Sequence, residues 1–446
     1  MDVYETFKSV GQPTITYVKR DSGKLEKILD SALSEKGQIC LVTGPSKTGK
    51  TTLYTQVLSA RKEVPLIVRC DRSMSCKDIW LKALEAVEFE RIETRNTGRA
   101  SQISAESEVS GKLGWQWLAE AATKIKGAAS RQTSENEARR RVLSEPGAES
   151  LIPLLKKTNY ILVIEDFHYL PEEEKSILFQ QWKKFVDSEV SAIVLGTTHR
   201  AVDIANGNKD LIGRICQIDV GRWSQADLEQ ICQKGFDHLK IPIHSKIKNR
   251  IASEAVGLPI IVQQICLDLI ITHKYFNQKH QRNKIFIDED HLVQSFHNVA
   301  LQKYSQFDSY YKTLVSGPRE NVRKYRTYEL VIACFTIDPI TFVLKRGEID
   351  QRLRKLKLKS NEIPPTASLN STLGALKKFQ ERRNFDLLEW RPSEEKLYIV
   401  EPSFLFYIRW RSNKPEDKGR QLDFFERLFE RINLSEIINS LSTKTL

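Results

Sequence analysis

ICLVTGPSKTGKTT, residues Ile39 to Thr52, runs five residues of buried-strand character into the pattern G-x-x-x-x-G-K-[ST], after which the spacing turns helical. A polyphosphate asks for a loop whose backbone N–H groups converge. That requires the permissive dihedrals of Gly44 and Gly49 and the positive end of a helix just beyond them. Pro45, Ser46, Lys47 and Thr48 fill the loop, and Thr52 carries it into the helix. Lys50 is placed to reach the β and γ phosphates, and the Thr51 hydroxyl to ligate magnesium. Lying between a strand and a helix, where this chemistry needs it, the motif leaves little room for a chance match.

Such a loop needs an acidic partner at the end of a neighbouring strand, and YILVIEDFHYL, residues 160–170, supplies one. Four apolar residues, Ile161 to Ile164, bring Glu165 to the metal side and set Asp166 beside it as the base or water-positioning carboxylate. The order is the reverse of the more usual Asp-Glu, which leaves the rate of hydrolysis open. His168 reads as a packing or capping histidine before it reads as a γ-phosphate contact. Thr197 or Thr198, at the end of the next apolar run, is a candidate sensor of the γ-phosphate. Arg214, just before the last run, offers a guanidinium to a nucleotide, its own or a neighbour's, or makes a surface ion pair.

Five apolar runs, GQICLVT, VPLIVRCD, YILVIEDF, SAIVLGTT and RICQIDV, alternate with amphipathic helical stretches. They predict an α/β fold of the P-loop NTPase class (ASCE or AAA+-like) with a mainly parallel sheet. The 446 residues, 40% hydrophobic and 28% charged, suffice for more than one domain. The nucleotide-binding domain is expected over residues 1–222. Its lead-in helix has Leu25, Ile28, Leu29 and Leu33 on one face, and an insertion over 91–150 carries Trp115 and Trp117. A helical period marks a subdomain over 223–320. Three helices and a hairpin over 321–412 match a winged helix, and residues 413–446 contain a closing helix. Seven cysteines without a CxxC pair or a His cluster argue against zinc and disulfides and fit a reducing cytoplasm. No stretch is apolar enough to span a membrane, and the N-terminus lacks an export pattern.

The lead-in TYVKR, the P-loop, IEDFH, GTTHR, Arg214 and Gly257-Leu258-Pro259 occur in the order found in STAND-type ATPases. These are relatives of the origin-recognition-like AAA+ proteins, and the chain resembles them from about residue 14 to 412. The resemblance implies that the lead-in and the proline bracket adenine, placing Tyr17, Val18, Arg20 and Pro259 around the base and favouring ATP over GTP. It implies a nucleotide-dependent switch, possible self-assembly, and an effector supplied by another chain. The chain departs from the pattern in lacking a sensor-2 arginine after Gly257, a repeat array and an N-terminal effector.

Net charge is +12, and residues 301–360 hold 13 Lys and Arg against 6 Asp and Glu, an excess of seven. Within the winged-helix stretch, Lys377, Lys378, Arg382 and Arg383 suit phosphate contact on duplex DNA, while Glu381, Glu389, Glu394 and Glu395 weaken the field. The leading expectation is an ATP switch in a defence or regulatory system. A DNA-binding AAA+ ATPase of replication-initiator or transposition type and a non-hydrolysing ATP-binding scaffold are the alternatives.

Overall fold

The computed structural model describes residues 2–96, 146–196, 211–275, 287–317, 325–356 and 358–411, together with Phe425 and Arg427. The expected insertion, with Trp115 and Trp117, falls largely outside the described residues, as do Thr197, Thr198 and most of the closing helix. The chain divides into two compact units, one of Lys19–Gly44 and Gly49–Gly221, the other of Met1–Val18, Pro45–Thr48 and Arg222–Leu446.

The first unit is built on a five-stranded parallel sheet of β1 (Ile39–Thr43), β2 (Val64–Arg69), β3 (Tyr160–Glu165), β4 (Ala192–Leu195) and β5 (Ile215–Asp219), in the order β2-β3-β4-β1-β5. β1 is paired on both sides and buried throughout, which is why its sequence is a continuous apolar run and not an alternation. β2 lies at the edge, where Pro65 can stand without a ladder N–H. The period-2 geometry sorts β1 side chains onto two cores. Cys40 and Val42 face one core, with Leu29 and Leu33 of α2 (Lys24–Ser34) and Leu53 and Val57 of α3 (Lys50–Arg61). Ile39 and Leu41 face the other, filled by α4 (Cys76–Asn96), α5 (Ala148–Lys157) and α6 (Glu172–Asp187) through Trp80, Leu151 and Trp182. The result is the three-layer α/β/α arrangement of a P-loop NTPase. Parallel strands all end on one side, so the loops after β1 and β3 meet there.

In the second unit, α1 (Val3–Thr6) and the lead-in lie against a helical layer. Its members are α7 (Gln225–Leu239), α8 (Ser245–Glu254), α9 (Pro259–Thr272), α10 (Glu289–Lys303) and α11 (Phe307–Ser316). Phe7 packs on Phe236, ring centroids 5.6 Å apart. Then come α12 (Thr327–Thr336), β6 (Val343–Lys345), α13 (Arg346–Lys355), α14 (Thr366–Arg382), β7 (Leu388–Arg391) and β8 (Lys396–Ile399), the strands forming an antiparallel sheet in the order β6-β8-β7. Gln380 of α14 fixes the entry to β7, accepting from the N–H groups of Leu387 (2.8 Å) and Leu388 (2.9 Å). An additional helix, α15 (Ser403–Trp410), follows the hairpin. Its apolar side chains seat Trp410 against Phe296 of α10, centroids 4.5 Å apart. Arg409 and the Trp410 indole both donate to Glu254 Oε2, at 2.9 and 3.0 Å. Among the described residues no helix is long and apolar enough to cross a membrane.

Candidate functional site

The loop after β1 departs from ordinary backbone as its sequence requires. Gly44 and Gly49 adopt φ of 144° and 95°, where a side chain would be strained, and Lys47 tolerates a left-handed φ of 65°. Gly49 caps α3, so Lys50 is the first residue of that helix and the N–H groups of its first turn, which have no acceptor within the helix, stand at the loop. Three donors hold the loop's carbonyls. The Thr48 hydroxyl donates to Pro45 O (2.9 Å), the Trp223 indole N–H to Thr48 O (2.8 Å) and Lys50 Nζ to Gly44 O (2.8 Å).

The carboxylates come from the end of β3. Glu165 is 7% exposed, and both of its oxygens are engaged. Oε1 accepts from the Thr51 hydroxyl at 3.2 Å and from the Tyr54 phenol at 3.1 Å, and Oε2 accepts from Arg69 Nε at 3.0 Å. A hydroxyl that donates its proton to a carboxylate keeps its oxygen lone pairs for a cation, so Thr51 and Glu165 form a donor set suited to magnesium. Asp166 takes a left-handed φ of 56° at the strand end. Burial raises its carboxyl above the ordinary range and the neighbouring Glu165 charge adds to this, while Lys50 and Arg69 pull it down. Two residues of this cluster are absent from the sequence reading. Tyr54 follows Thr51 by three positions, and the i, i+3 rule puts them on one helix face. Arg69 stands directly opposite Glu165 in the β2–β3 register. His168 packs its ring on Tyr169, centroids 4.0 Å apart.

On the residues expected around the base, the Tyr17 carbonyl accepts from Lys234 Nζ at 2.6 Å, and Val18 is buried. Thr16, the preceding residue, accepts from Gln263 Nε2 at 2.6 Å, and Gln263 lies one turn beyond Pro259, which opens α9 at its first position. The lead-in and the Gly257-Leu258-Pro259 turn are thus neighbours. Gly257 has a φ of 79°, and a Cβ there would fall 2.2 Å from Arg222 Cγ, so only glycine fits. Arg20, in the other unit, donates to Gly221 O at 3.1 Å.

Of the two nucleotides expected for Arg214, its own or a neighbour's, the topology removes the first. It precedes β5, and its carbonyl accepts from the N–H of Ile39 at the start of β1, at 2.9 Å. The P-loop leaves the opposite end of β1, and a five-residue strand spans about 17 Å. Arg214 is therefore at the wrong end of the sheet to serve its own phosphate loop. The parallel topology carries this result, since a residue before a strand and a loop after its neighbour lie at opposite ends.

No family model matches the chain, and neither does any curated protein. Among solved structures it is similar to a Walker-type ATPase of Pyrococcus abyssi (12% identity, 89% of this chain and 100% of that one, TM-score 0.48). It is also similar to Cdc6p from Pyrobaculum aerophilum (12%, 92% and 99%, TM-score 0.40) and to Drosophila ORC bound to DNA (13%, 91% and 90%, TM-score 0.37). With TM-scores below 0.5 these likenesses carry no functional argument, and the fold is established by the strand order and the loop themselves.

Proposed function

We propose that this chain binds Mg-ATP through residues 44–52, Glu165 and Asp166, and that the bound nucleotide works as a switch of the STAND or origin-recognition AAA+ kind. The observation that carries the reading is the Thr51–Glu165 hydrogen bond, which joins the loop after β1 to the acidic end of β3. Thr51 and Glu165 would hold magnesium, which when bound would offset the phosphate charge. Lys50 exchanges its bond to Gly44 O for the β and γ phosphates. Asp166, exposed beside Glu165, accepts a proton from the attacking water, and Thr197 or Thr198 reports the γ-phosphate. Tyr17, Val18, Arg20 and Pro259 bracket the adenine. Arg214 acts on the nucleotide of a neighbouring copy, which ties turnover to self-assembly.

Residues 327–399 follow the helix and strand order of a winged helix. Support for a switch comes from Lys47, a P-loop residue whose Nζ lies 3.5 Å from Glu401 Oε2 and 3.4 Å from Ser403 Oγ, at the start of α15. A cation leaving those partners for a phosphate would change how the C-terminal helices are held. One observation favours a DNA-handling ATPase instead: Lys377, Lys378, Arg382 and Arg383 are all exposed along α14. Against it, the β7–β8 turn presents Glu394 and Glu395 where a wing would meet phosphate.

Calorimetry with Mg-ATP tests the core of the proposal. Lys50→Ala is expected to lose tenfold or more in affinity, because the β and γ phosphate charge loses its nearest cation. Unchanged affinity refutes it. Phosphate release measured with and without duplex DNA then separates the readings. A DNA-handling ATPase is stimulated by duplex, a switch turns over slowly and indifferently, and a scaffold does not turn over.

A further inference from the structure

We propose that Trp223 is a positioning residue for the phosphate loop, setting the direction of the Gly49 N–H from behind; this rests on the Mg-ATP reading above. In a planar trans peptide the carbonyl of one residue and the N–H of the next point in opposite directions. The Trp223 indole donates to Thr48 O at 2.8 Å, and Trp223 is 8% exposed, so this bond forms away from competing water. Holding the Thr48 carbonyl toward the indole turns the N–H of Gly49 the other way, toward the concave side of the loop where a phosphate oxygen would sit. The Thr48 hydroxyl does the same for the preceding turn, since its bond to Pro45 O fixes the peptide that carries the Ser46 N–H. A loop whose peptide planes are held before the anion arrives spends less of the binding free energy on ordering itself.

The second bond of Trp223 makes the inference specific to this residue and not to any buried aromatic. Its main-chain N–H donates to Gly257 O at 3.1 Å. One residue thus ties the phosphate loop to the turn that carries Pro259. That main-chain bond does not depend on the indole, so the turn that carries Pro259 stays held when the indole donor alone is removed.

Trp223→Phe keeps the ring and removes only the indole donor. In the full-length chain it is expected to weaken inorganic pyrophosphate and ADP about fivefold to tenfold, the factor that goes with losing one buried hydrogen bond. Adenosine, which has no phosphate to meet Gly49, is expected to bind as in wild type. A second measurement asks what packing alone would not change. In a spectrum of indole N–H groups, the resonance missing from the variant is expected to shift in wild type as pyrophosphate is added. Trp223→Tyr provides the same assignment should the Phe variant not fold. Wild-type pyrophosphate affinity in Trp223→Phe, an equal loss for adenosine, or an indole resonance unmoved at saturating pyrophosphate each overturns the inference while leaving the Mg-ATP reading intact. Failure of wild type to bind either pyrophosphate or nucleotide overturns both.

Discussion

Glu165→Ala removes the one acceptor shared by three donors, and the consequences can be worked out donor by donor. Arg69 is 74% exposed, so water replaces the carboxylate and the lost pair is worth under about 1 kcal/mol. The Thr51 hydroxyl stands at the first turn of α3 and is only part-buried, so it finds other partners. Tyr54 is different: it is 1% exposed, and burial and then the Glu165 charge push its phenol well up, so it remains a donor at every working pH. Thr55 still donates to that hydroxyl, but its proton loses its acceptor at a cost of about 1–3 kcal/mol, so Glu165→Ala is expected to lose about 2–3 kcal/mol of stability in all. Tyr54→Phe alone leaves both Glu165 oxygens with partners and is expected to lose about 1 kcal/mol. Combining the two removes the orphan. The double variant is expected to be about 1–2 kcal/mol more stable than Glu165→Ala alone, a reversal of sign that simple additivity forbids. Urea denaturation of the four proteins, compared at the same transition, measures this. A double variant no more stable than Glu165→Ala refutes the claim that Tyr54 depends on that carboxylate. In the same proteins, nucleotide binding by Glu165→Ala is expected to lose its dependence on magnesium.

Asp166→Asn is expected to retain nucleotide binding and lose turnover, and normal phosphate release by the variant would reassign the base. The sign of its stability effect follows from the raised carboxyl pKa. The stability Asp166 contributes is fully present below its unfolded pKa and is lost as pH rises through the folded value, so at neutral pH the Asn variant should melt higher than wild type. Glu394, held at about 2 by its bond to Lys396 and then by Tyr398 and Arg391, works the other way. Its contribution is present above the ordinary carboxyl range and fades toward pH 2, and Glu394→Gln should flatten that acid limb in a melting series. For DNA, replacing Lys377, Lys378, Arg382 and Arg383 by Ala should reduce the slope of log affinity against log salt by about 0.9 for every phosphate left without its cation. An unaltered slope removes α14 from any duplex interface.

The sheet was legible because β1 and β3 are apolar runs that end at residues with chemistry, Thr43 before the loop and Glu165 at the acidic end. The phosphate loop was legible because its glycines and Lys50 have few other uses in that order. Tyr54 and Arg69 were not, for different reasons. Tyr54 reads as a core residue until Glu165 is placed beside it, and Arg69 depends on the β2–β3 register, which no local pattern encodes. β6 is three residues long, too short for a period, and the sequence of α15, SFLFYIRW, is apolar on every side, so it has no amphipathic signature. The end of the sheet that Arg214 occupies was legible too, since parallel strands imply it.

Edge strand β2 also bears on solubility. Among the described residues its outer side has no ladder partner, which makes it a template onto which another chain could hydrogen-bond, and the strand is apolar at Val64, Leu66, Ile67 and Val68. Pro65 withholds one donor from such a ladder, and Arg69 sets a charge at its end. Pro65→Val would keep the strand's shape and restore the missing N–H. The expected phenotype is concentration-dependent precipitation of protein that still binds nucleotide.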